Sequence, residues 1–166
     1  MAELTTLESK LAEVTGLAMA AQDLGKKVAK LVEEEGEHED LVRTLERMRQ
    51  EAEETERRCT EVAEGLDGKK TAVLEKARET KQEASQMAST YLGDQPDALD
   101  GFEFMTMAEA GEVGHWAVVR VLARKAGAPE IQELAEWAGP IQQRHVEQTM
   151  EGSLELAGAE DPYAVA

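Results

Sequence analysis

Cysteine is almost absent from this sequence: its 166 residues include one, Cys59. A lone thiol excludes an intrachain disulfide framework and a cysteine-rich zinc site. Aromatic residues are scarce too, with two each of Phe, Trp and Tyr, and β-branched or aromatic runs of strand length are missing, which excludes a sheet-based core. No apolar run approaches the ~20 residues of a membrane span. The opening "MAELTTLESK" has neither a basic n-region nor an apolar h-region, so a cytoplasmic protein with no membrane partner is expected. Basic residues are outnumbered, 18 Lys and Arg against 35 Asp and Glu, giving a net charge of −17. Such a field repels nucleic acid and anionic bilayers before any specific contact forms, so no nucleic-acid partner is expected; cations are favoured. A glycine-rich phosphate loop, G-x-S-x-G, H-E-x-x-H and an EF-hand loop are all lacking, which sets aside a nucleotide enzyme.

What the sequence does contain is helix formers. Ala, Glu, Leu, Lys, Arg, Gln and Met dominate, and an all-α fold in one domain follows, with residues 1–157 as the bundle and 158–166 as a tail. Leu7, Leu11, Val14, Ala18, Ala21, Gly25, Val28 and Val32 recur at steps of three and four, marking a helix from near Thr5 to about Glu35. Small residues in the middle of this face, Ala18, Ala21, Gly25 and Ala29, leave room for a close neighbour or for something that is not side chain. "EEEGEHED" connects to a second helix carrying Leu41, Leu45, Met48, Ala52, Thr55, Cys59 and Val62 on one face. A weaker helix from about Thr71 to Tyr91 suits a crossover outside the bundle. "GDQPDALDG" (93–101) is expected to be a loop. A third core helix covers about Phe102 to Lys125, and a fourth runs from Pro129 to about Leu156, with a kink expected at Pro140.

Short links within each hairpin and one long connection between the second and third core helices make a single-crossover bundle. "EAEETERRC" (51–59), "EAGEV" (109–113) and "QQRH" (142–145) fall on three of its inward-facing helices. With these stretches the chain resembles the ferritin-like superfamily, and its layout is most similar to the small bacterial stress-induced ferritin-like proteins. The resemblance implies a ferritin-like four-helix bundle with a long helical crossover between helices two and three, likewise a metal site inside it. Carried over residue by residue, it implies Glu54, Glu112 and His145 as ligands, Glu109 and His115 as neighbours, and Gln142 and Gln22 as neutral substitutes for carboxylates. Arg57 stands where a histidine would follow Glu54 at i+3. The implied cofactor is iron or manganese, with zinc as a further candidate, mono- or dinuclear.

Helix geometry limits what these residues can share. Each i, i+3 step moves a side chain about 60° around the axis and about 4.5 Å along it. Glu109, Glu112 and His115 therefore cannot all aim at one point, and Glu112, the central member, is best placed to face inward. Mixed carboxylate and imidazole donors suit iron, manganese or zinc, and neutral glutamines favour one ion over a symmetric pair. Structural alternatives stand beside each assignment. Glu109 can be a solvated helix-face carboxylate, His115 can bond a carbonyl or carboxylate of a neighbouring helix, and Glu112 with His145 can form a buried pair without metal. Glu51, Glu53 and Glu56 read as a solvated acidic face, and Cys59 as a small core residue. The functional expectation is a metal-binding protein, a non-haem iron oxidase or peroxidase of the stress response, assembled as a homo-oligomer such as a dimer. The alternative is a non-enzymatic helical interaction module on a ferritin-like scaffold with a degenerate metal site.

Overall fold

The computed structural model describes residues 2–36 and 38–165; Met1, Glu37 of the first connection and Ala166 of the tail lie outside the described residues. Among the described residues there are five α-helices and no strand: α1 (Thr6–Glu35), α2 (Glu39–Glu64), α3 (Lys70–Leu92), α4 (Ala98–Ala126) and α5 (Pro129–Ala159). None is long and apolar enough to cross a membrane.

Local chemistry explains most of the boundaries. Thr5 starts α1 through a capping box: its hydroxyl accepts from the Glu8 amide at 3.3 Å, and its own amide donates to the Glu8 carboxylate at 2.7 Å. Gly36 ends the helix in the left-handed region, with φ 83°. α4 begins four residues earlier than its periodicity suggests. Asp97 and Asp100 form a second capping box inside the expected loop, the Asp97 carboxylate accepting from the Asp100 amide at 2.8 Å. α5 opens on Pro129 and runs as one helix, with Pro140 inside it, to Ala159. Pro140 is exposed, so the hydrogen bond it forfeits lies on the solvent side of the helix.

α1 packs on α2 and α4 on α5; α1 against α4 and α2 against α5 close the four-helix ring, and α3 lies chiefly along α1. Gly16 sets the distance between α1 and α3. A Cβ built there would fall 2.3 Å from the Ala77 carbonyl oxygen, so only glycine admits this approach. At one end of the ring Leu11, Val14, Cys59, Trp116, Val119 and Ile131 form an apolar cluster. At the other, Val28, Val32, Leu45, Met48, Phe102 and Met105 form a second. Between these two dry ends the inward positions are polar, and the candidate site lies there.

Candidate functional site

α4 and α5 run antiparallel in a register that seats Gly152 against the Phe102 ring. Two and three turns along α4 from Phe102, the same register brings Glu109 opposite His145 and Glu112 opposite Gln142. The four side chains are all buried, with Glu109 3 %, Glu112 5 %, Gln142 5 % and His145 2 % exposed. The Gln142 amide donates to the Glu112 carboxylate. Nδ1 of His145 lies 3.2 Å from the Glu109 carboxylate, and Nε2 lies 2.6 Å from the Glu51 carboxylate of α2. Arg144 closes the outer edge, donating to the other Glu51 oxygen at 2.7 Å. Thr149, one turn beyond His145, returns its hydroxyl to the His145 carbonyl at 2.9 Å and brings no free donor to the cluster.

Electrostatics in this layer follow from burial. Desolvation, and then the neighbouring Glu109 carboxylate, push the Glu112 carboxyl well above the usual carboxylate range. Burial alone would lower the His145 imidazole, but Glu109 and then Glu51 outweigh it and hold its pKa above the ordinary value. Cys59 sits in the same interior with no histidine against it; burial pushes its thiol up to about 12. It is a small core residue in a setting that suppresses the thiolate.

Three of the residues carried over from the resemblance lie outside this hydrogen-bonded cluster, although His115 lines the cavity beside it. Glu54 points along the outer flank of α2, paired with Arg57 at 2.6 Å and Arg58 at 2.7 Å. These guanidinium hydrogen bonds, Arg57 first, hold its carboxyl at about 2. The basic residues at i+3 and i+4 draw it sideways, so Glu54 does not meet Glu112 or His145. His115 is 42 % exposed at the side chain, with Nδ1 3.6 Å from the Glu13 carboxylate of α1. Three residues beyond Glu112 the helix has rotated it away from α5. Gln22 is likewise engaged outside the cluster, donating to Glu56 at 2.6 Å.

Glu51, expected on a solvated acidic face, instead reaches inward to His145. Its position was legible: it follows the buried Met48 by three residues and precedes the buried Thr55 by four, which puts it at the margin of the inward stripe of α2. The small residues of α1 also have a role. Ala20 and Ala21, with Leu17 and Leu24, wall a cavity of about 390 Å³ between α1, α3 and α4. Its lining includes Glu109 and Glu112, so the cluster contacts α5 on one side and this cavity on the other.

Among the described residues, no three His, Cys, Asp or Glu side chains converge on one point as a ready metal shell. The arrangement is an acid–amide pair beside a carboxylate–imidazole–carboxylate chain, open to an apolar cavity. No protein-family model, curated protein or solved structure matched the chain.

Proposed function

We propose that this chain is a cytoplasmic ferritin-like bundle that binds a divalent metal ion, iron or manganese, through Glu109, Glu112 and His145. The fold supports the reading in its plan, a four-helix ring with one long helical crossover and inward polar residues on facing helices. The observation that carries it is the burial of two carboxylates on successive turns of α4, Glu109 within 3.2 Å of the buried His145 imidazole and Glu112 beside it, between two apolar clusters. Buried carboxylates are stable only when protonated, hydrogen-bonded or faced by a cation. Here Glu112 is driven toward the protonated form, and the exchange of that proton for a metal ion is the chemistry such a pair offers.

The donor set fits a borderline or hard ion: two carboxylates, an imidazole and the amide of Gln142. Glu51 holds the far nitrogen of His145, the arrangement by which an outer carboxylate fixes the tautomer of a ligating histidine. Glu54 and His115 have no part in this set. With two carboxylates rather than four, one ion is favoured over two. Iron held there would supply one-electron chemistry toward peroxide or dioxygen. The largely apolar cavity gives small uncharged molecules a path to Glu109 and Glu112.

A second reading, a non-enzymatic helical module with a degenerate site, is favoured by the completeness of the hydrogen bonding. Both ring nitrogens of His145 and one oxygen of Glu112 have partners without any ion. Metal content per chain, measured by mass spectrometry after anaerobic loading with iron or manganese, separates the two. Near-stoichiometric metal that Glu112→Ala and His145→Ala abolish and Glu54→Ala leaves intact supports the site. A wild-type chain that retains no metal at micromolar supply sinks it and leaves the module reading.

A further inference from the structure

The solvent-facing side of α4 carries a run of exposed apolar and small residues with few acids among them. Between Glu103 and Lys125 its outermost seam reads Met107, Gly111, Gly114, Val118 and Val121, at steps of three and four. Met107 is 52 %, Val118 45 % and Val121 62 % exposed. Along this stretch Glu103 is the one exposed acid, because Glu109 and Glu112 are buried on the opposite face. Within α4 alone the two glycines have no role. A Cβ at Gly111 or Gly114 would meet nothing within 4 Å, whereas Gly16, Gly101 and Gly152 each fit against a neighbouring element. Gly139 and Gly158 of α5 also stand in open space, but Gly111 and Gly114 fall together on one exposed apolar seam, and each interior glycine costs a helix about 1 kcal/mol relative to alanine.

We propose that this face of α4 is the contact between two copies of the chain, crossing antiparallel about a twofold axis at Gly114. The argument is complementarity of the seam with its own reverse. Turned about Gly114, Glu103 meets Lys125 of the second copy, Met107 meets Val121, and Gly111 meets Val118. An isologous interface requires this palindromic order. The basic end of the seam answers the acidic end twice, and the glycines at the centre let the two axes approach to the short end of the usual 8–10 Å helix separation. A chain of net charge −17 repels its copies over most of its surface, and this uncharged strip is where that repulsion is weakest. Met107 and Gly111 also line the cavity beside Glu109 and Glu112, so the contact covers an edge of that cavity without including the residues proposed to hold metal.

Sedimentation velocity of the full-length chain across the micromolar range, in chelator, tests the assignment. The expected result is a concentration-dependent species of twice the 18.2 kDa chain mass. Gly114→Leu should weaken dimerisation roughly tenfold or more, because the change is met twice at the centre of the contact, and open space at this position keeps the monomer folded by circular dichroism. Glu103→Lys should weaken it several-fold, and adding Lys125→Glu should restore it. A chain that stays monomeric throughout, or a dimer indifferent to Gly114→Leu, would overturn the proposal.

Discussion

Replacing Gly16 with alanine tests the α1–α3 contact by the smallest available change. The new methyl would lie 2.3 Å from the Ala77 carbonyl oxygen and 2.7 Å from the Thr80 Cβ. Neither atom is the end of a flexible side chain, so α3 must retreat by about 1 Å to restore contacts near the ~3.5 Å optimum. Overpacking of this kind costs ~1–3 kcal/mol, and a backbone obstacle places it at the upper end. Helix propensity returns about 1 kcal/mol. The net is a destabilisation of about 2 kcal/mol, or a Tm lower by ~4–8 °C for a chain of this length. Gly114→Ala is the matched control: the same atoms are added to a helix interior, but into open space. In dilute protein, where no second copy intervenes, it should raise Tm by ~2–4 °C. Thermal unfolding followed by far-ultraviolet circular dichroism reads both. A Gly16→Ala chain as stable as the wild type would refute the close approach of α1 and α3.

The apo protein should lose stability as pH rises. A folded pKa above the unfolded one means that the native state holds the extra proton, so both groups contribute most below their unfolded pKa. For Glu112 the loss begins above its ordinary value of 4.5, and for His145 above 6.5, each continuing through the raised folded value. Urea unfolding in chelator should therefore show a midpoint falling between pH 5 and 8, and Glu112→Gln should flatten that fall; a midpoint rising over the range would contradict the assignment. Cys59, fully buried with its thiol pushed up to about 12, should resist a thiol reagent at pH 8 until the chain unfolds, and immediate labelling of the folded protein would show that the apolar cluster around it is open.

Much of this architecture was legible from apolar spacing. The inward positions of Leu11, Val28, Leu45, Phe102 and Trp116 follow from steps of three and four, and all are buried. The same phase carried Glu112 and His145 inward and left Glu109 open between a solvated face and a flank of the site; it is buried. The periodicity also carried α5 through Pro140, whose missing hydrogen bond faces water. The start of α4 differs from its apolar periodicity because Asp-x-x-Asp at residues 97–100, which suits a loop by composition, is also a capping box. Glu54 misled for another reason. Sequence spacing gives a side chain's angle around its helix, but not the neighbours that compete for it, and Arg57 and Arg58 draw this carboxylate outward.

Propensity, capping and periodicity act within a few residues of chain, so the helices, their ends at Gly36 and Gly127, and most of the apolar inward positions follow from the sequence alone. Partnership was decided only in the tertiary structure. The register of α5 against α4 selects Gln142 for Glu112 and His145 for Glu109, and the placement of α2 brings Glu51 to the far side of the imidazole. Likewise the path of α3 over α1 makes Gly16 indispensable and opens the cavity at Ala20 and Ala21. Those outcomes depend on how whole helices slide and rotate until their ridges and small residues fit, which is a property of the packed surfaces and not of any local stretch of residues.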